Sequence, residues 1–114
     1  MSRYRCVIQA GSAAAERSNE LERRLGEHHA GHYPGEAVSV DWATVPAGYM
    51  FTEGRQSTSS IVSCTLDHPT TFASREVYMR GVCDLWTEVT GCTDHEVVVA
   101  VAENIPAASL ATKE

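Results

Sequence analysis

The sequence predicts an α+β fold of two tandem βαβ units, a βαββαβ chain whose four strands form one sheet with two helices on one face. Three observations predict it. Tyr4 to Gln9 and Ile61 to Leu66 each read as a strand, and each is followed by a stretch of helical apolar spacing and then by another strand. The two strand-helix-strand runs are offset by roughly sixty residues, and each is expected to close as a right-handed parallel crossover. Finally, 114 residues with 43% hydrophobic and 21% charged composition suit a single domain with one modest core. That domain is expected to span residues 1–114, with a tail from about Pro106.

In the first unit, Gly11-Ser12 breaks the opening strand and supplies an N-cap. A helix is expected from Ala13 to about His29, with Ala14, Leu21 and Leu25 inward and Glu16, Arg17, Glu20, Glu22, Arg23 and Arg24 outward. It stops within Gly31 to Gly35. Val38, Val40 and Trp42 then alternate with Ser39 and Asp41 as in a half-buried strand, ended by Pro46-Ala47-Gly48. In the second unit, Val62, Cys64 and Leu66 share one strand face. Tyr78, Val82, Leu85, Trp86 and Val89 mark a helix, and Gly91 stands where a left-handed C-terminal residue is expected. The unbroken apolar run Val97 to Ala102 predicts a central strand or one buried against another subunit.

The join between the units, Pro46 to Ser60, is about fifteen residues long, and so long a loop in a small domain is usually structured or functional. It favours paired βαβ units over the ferredoxin-like sheet, whose middle strands join by a short hairpin. A ferredoxin-like dimeric α/β barrel is the competing architecture, separable by oligomer mass.

Nine basic and fifteen acidic residues give a net charge of −6, which argues against a phosphate-tracking surface and makes nucleic acid an unexpected partner. The longest apolar run is far short of a membrane span, which takes about 20 residues. No signal-peptide pattern follows the first residues, so a cytoplasmic location is expected. Cys6, Cys64, Cys83 and Cys92 form no C-x-x-C pair and read as small core residues.

Four stretches resemble the tautomerase superfamily, in its cis-chloroacrylate dehalogenase branch. They are the strand opening at residue 2, Glu27-His28-His29 at the end of the first helix, Val45-Pro46-Ala47-Gly48 followed by Phe51, and Val99 to Ala107. The resemblance implies a cofactor-independent homotrimer with pockets between subunits. It also implies a catalytic N-terminal proline, where this chain has Ser2. Once Met1 is removed, Ser2 would offer a primary amine titrating near about 7.7–8.0, able to accept a proton or form an imine.

Other positions depart from that branch. The segment that carries two carboxylate-binding arginines in the dehalogenases reads Asp67-His68-Pro69-Thr70-Thr71, and the tyrosine of the last strand is replaced by Val101 or Ala100, depending on register. Dehalogenation is therefore not expected. The expected activity is proton transfer on a small apolar or aromatic carbonyl compound: isomerisation, hydration or cyclisation, as in secondary metabolism. The alternative is a trimer whose chemistry has decayed into ligand binding or scaffolding.

The candidate catalytic residues are Ser2 and His29, the latter four residues beyond Leu25 and hence near the inward face. His68, Glu103, Asn104 and Phe51 are the candidate substrate contacts. His28 and His32 are expected at the surface. The tract His28-His29-x-x-His32 lacks the glutamate of H-E-x-x-H, so no metal is expected there.

Overall fold

The computed structural model describes residues 1–104, so the expected tail lies outside the described residues. Strand β1 (Arg3–Gln9) leads into a one-turn helix α1 (Ala13–Glu16) and the longer α2 (Ser18–His32). Strand β2 (Ser39–Val45), a short hairpin of β3 (Phe51–Thr52) and β4 (Arg55–Gln56), and β5 (Ser60–Leu66) follow. Helix α3 (Phe72–Thr90), a 3₁₀ turn (Asp94–Glu96) and β6 (Val97–Glu103) complete the order.

The strands lie in the order β2-β1-β5-β6. β1 pairs with β2 in parallel, β5 with β6 in parallel, and β1 with β5 antiparallel. Each unit's two strands are thus direct neighbours. A ferredoxin-like sheet splits each unit with a strand of the other, so this pairing decides between the two architectures in favour of paired βαβ units.

Local chemistry explains the boundaries. Ser12 caps α1 by accepting from the Ala15 N–H at 3.2 Å. The helix expected to run unbroken from Ala13 is interrupted at Arg17, whose φ of −109° and ψ of 22° leave the helical region. Ser18 and Asn19 follow the break, residue types whose side chains compete for nearby backbone groups. α2 then continues to His32, and Pro34 keeps the preceding Tyr33 out of the helical region, at φ −132° and ψ 80°, which ends it. Helix α3 starts earlier than its apolar pattern, at a reciprocal Thr71–Ser74 capping box, and stops at Gly91 with φ 74°. The join contains its own hairpin, turned by Glu53 and Gly54, both at positive φ.

Both long helices cover one face of the sheet. Tyr4, Cys6 and Ile8 of β1 and Val62, Cys64 and Leu66 of β5 meet Leu21 and Leu25 of α2 and Tyr78, Val82, Leu85, Trp86 and Val89 of α3. The helices pack tightly at Gly81, where a Cβ would run into the His28 ring. Among the described residues the opposite face has no helix. β6 is an edge strand whose residues alternate between half-buried and exposed, which corrects the reading of a central strand covered on both sides.

Cys6 and Cys64 are fully buried, and Cys83 and Cys92 half-buried, all as free thiols. Burial raises the Cys6 thiol to about 12 and also raises Cys64. A disulfide-exchange reagent at about pH 8 should therefore label no more than Cys83 and Cys92 in the native protein and all four thiols in denaturant. Rapid native labelling of Cys6 or Cys64, located by peptide mass, would contradict this packing.

Candidate functional site

One end of the sheet gathers the chemistry. The start of β1, the ends of β5 and β6, the C-terminal turn of α2 and the first turns of α3 all meet there, because β1 runs antiparallel to β5. His29 continues the buried row Leu21 and Leu25 at i+4 spacing and is fully buried. Its Nδ1 lies 3.0 Å from the Tyr78 hydroxyl, which is 2.6 Å from the Tyr4 hydroxyl. Cys64 Sγ donates to the same Tyr78 oxygen at 3.7 Å. The other ring nitrogen, Nε2, has no hydrogen-bond partner.

That bare nitrogen faces a carboxylate. Glu36 Oε1 lies 3.8 Å from His29 Nε2 and 2.8 Å from His68 Nε2. The His68 ring stacks on Tyr33, with centroids 4.2 Å apart and planes 9° from parallel. Tyr33, Gly35 and Glu36 belong to the turn after α2, where Gly35 takes φ 82° and the Glu36 N–H donates to the Tyr33 carbonyl. The last turn of α2, the turn that follows it and β5's exit thus carry a carboxylate and two imidazoles to one point. Burial lowers the His29 pKa against the raising influence of Glu36, favouring a neutral ring that can accept or donate a proton. Burial raises both Tyr4 and Tyr78, so each phenol stays protonated.

Ser2 is buried beside this end, and its hydroxyl accepts the Asp67 N–H at 2.9 Å. The free α-amino group belongs to Met1 and pairs with Asp67 Oδ2 at 2.9 Å, which holds the Asp67 carboxyl below its usual range. Asn104 also bonds the Asp67 side chain, and its N–H donates to the Leu66 carbonyl. Glu103 accepts from the Thr70 N–H at 2.6 Å and hydroxyl at 2.7 Å, bracing the loop into α3.

The structure therefore brings His29 and His68 together and sets Ser2, Glu103 and Asn104 around the same end. Phe51 is elsewhere in the subunit, on the β3–β4 hairpin and 63% exposed. His32 is exposed as expected. His28 is not a surface residue: it is half-buried, with Nε2 2.9 Å from the Tyr78 carbonyl. Sequence reasoning missed Glu36 and the polar role of Tyr78. A second groove, lined in part by Ser12, Ser60, Trp86 and Cys92, lies at the other end of β5. Its one carboxylate, Glu96, is occupied by Thr93.

No family model and no curated protein matches the chain. Solved structures do. Ps01740 in its native form superposes with a TM-score of 0.79 at 27% identity, covering 94% of this chain and 96% of that one. N1, a member of the cis-3-chloroacrylic acid dehalogenase family, gives 0.74 at 21% identity, covering 91% of this chain and 75% of that one. The symmetric trimer of a fused 4-OT, Q0, gives 0.77 at 15% identity, covering 91% and 85%. The fold is that of the tautomerase superfamily. The chain shares this fold with proteins that include a member of the cis-3-chloroacrylic acid dehalogenase family.

Proposed function

We propose that this protein catalyses proton transfer on a small apolar or aromatic carbonyl compound, as a homotrimer without the proline chemistry of its relatives. The observation that carries this reading is the fully buried His29, whose unpartnered Nε2 faces the Glu36 carboxylate. An imidazole held by Tyr78 at one nitrogen and open at the other suits polarisation of a substrate oxygen, because its tautomer can follow the Tyr78 hydroxyl.

In this reading a carbonyl oxygen sits at His29 Nε2, which donates a hydrogen bond as enolate charge develops. Glu36 takes the proton from the neighbouring carbon and returns it to a different carbon or oxygen. His68, at 2.8 Å from Glu36, steadies the carboxylate and contacts an anionic group of the substrate. A Ser2 α-amine, present after Met1 removal, supplies a second base at the same end. The absence of arginine between Asp67 and Thr71 favours apolar or aromatic substrates over compact dicarboxylates. The trimeric 4-OT neighbour supports the assembly.

The test is deuterium exchange. Aliphatic and aromatic 2-oxo acids and β-keto acids are incubated with the protein in D₂O, and loss of the proton next to the carbonyl is followed by NMR. Enzyme-dependent exchange with at least one aromatic or branched compound is expected. Saturable binding of such compounds with no exchange in any would instead assign the ligand-binding alternative.

A further inference from the structure

We propose that His29, Glu36 and His68 form a binding site for one divalent transition-metal ion, with zinc the best-fitting probe. Their donor atoms already converge: one atom from each of the three residues lies within 4.8 Å of the others. Glu36 Oε1 is 2.8 Å from His68 Nε2 and 3.8 Å from His29 Nε2. A tetrahedral ion with bonds of about 2.0–2.1 Å spaces its donors at about 3.4 Å. Small side-chain rotations close that difference, and Glu36 rides on a turn that can supply them.

A second observation stands apart from this convergence. His29 Nε2 is wholly buried, unpartnered and directed at the carboxylate. A buried ring nitrogen normally finds a partner, and an orphan of this kind calls for an occupant. The rest of the ring is arranged as metal-ligating histidines are. Nδ1 meets the Tyr78 hydroxyl at 3.0 Å, and Tyr78 is itself anchored by Tyr4. In the ion-bound form Nδ1–H donates to that hydroxyl and the Nε2 lone pair is free. This is the opposite tautomer to the Nε2–H form that polarises a carbonyl, so ion and carbonyl substrate compete for this nitrogen. His68 is oriented in turn by its stack on Tyr33.

Two imidazoles and one carboxylate suit zinc and its first-row neighbours better than calcium or magnesium, which require more oxygen donors. Three protein ligands leave one position open. His68 is 27% exposed and Glu36 39%, so that position faces the solvent side, where a water or a ligand oxygen can complete the shell. This donor set is not the tract His28-His29-x-x-His32. It takes only His29 from the helix, while His28 Nε2 is engaged with the Tyr78 carbonyl.

Calorimetric titration of the full, chelator-stripped chain with zinc chloride tests the proposal, with metal content measured after gel filtration. One ion per chain is expected, at micromolar affinity or tighter, together with a zinc-dependent rise in melting temperature. Glu36→Gln and His68→Ala alter half-exposed side chains and should each weaken binding at least tenfold, while His32→Gln leaves it unchanged. Binding weaker than millimolar, or binding that both variants leave intact, would overturn the site. The readout uses no substrate, so absent proton exchange with retained zinc binding defeats the proposed activity and leaves the metal site standing.

Discussion

Replacing His29 by asparagine should lower the rate of carbonyl proton exchange by about a hundredfold or more, the usual worth of a positioned acid-base group. His29 is the only member of the cluster that is wholly buried, and its position is fixed from both sides. The α2 row through Leu21 and Leu25 sets the backbone, and Tyr78 holds Nδ1. Asparagine keeps a polar group near Tyr78 but withdraws Nε2 from Glu36, removing the hydrogen bond offered to developing enolate charge. The stability cost of altering one buried hydrogen-bonded side chain is about 1–3 kcal/mol, so a thermal melt separates lost chemistry from lost folding. Glu36→Gln should give a comparable loss in rate with little change in melting, since its side chain is 39% exposed. A folded His29→Asn protein that exchanges at the native rate would remove His29 from the reaction.

The parts of this site that were legible in the sequence follow from local periodicity. His29 could be placed because a helix puts residue i+4 above residue i, and Leu21 and Leu25 fixed which face was inward. Tyr78 obeyed the same rule, but apolar spacing reports burial only. That its hydroxyl bonds Tyr4 and His29 depends on β1 and α2, which are distant in sequence. Glu36 carried no signal, because it follows Pro34-Gly35 in a turn where side-chain direction is set by backbone φ rather than by any period. The same division holds for the fold. Gly91 was readable from local backbone demands. The break at Arg17 was not, since α2 resumes the apolar row at Leu21, four residues later. The β3–β4 hairpin is only two residues per strand, too short for alternation to register.

The helix-free face of the sheet gives the second large effect: the purified protein should have the mass of three chains, and Val98→Asp should reduce it to one. Register places Arg5 beside Asp41 on β2, and Ile61 on β5 beside Val98 on β6. Ile61 is 40% exposed and Val98 59%, so the described residues leave large β-branched side chains in water next to small Ala100 and Ala102 on β6, whose outer edge pairs with no other described strand. An unprotected apolar edge of this kind invites pairing with another chain. Three sheets brought together would cover the face and shield the β6 edge, giving the apolar run Val97 to Ala102 the second burial that its composition anticipates. A carboxylate at residue 98 would then be buried without a partner, a cost of several kcal/mol that an interface between small subunits cannot absorb. Because residue 98 is exposed in the single chain, the variant should keep its helix content while light scattering after gel filtration reports one chain. A native mass of two chains would instead favour a dimeric assembly, and a Val98→Asp protein that remains trimeric would place the subunit contact on another surface.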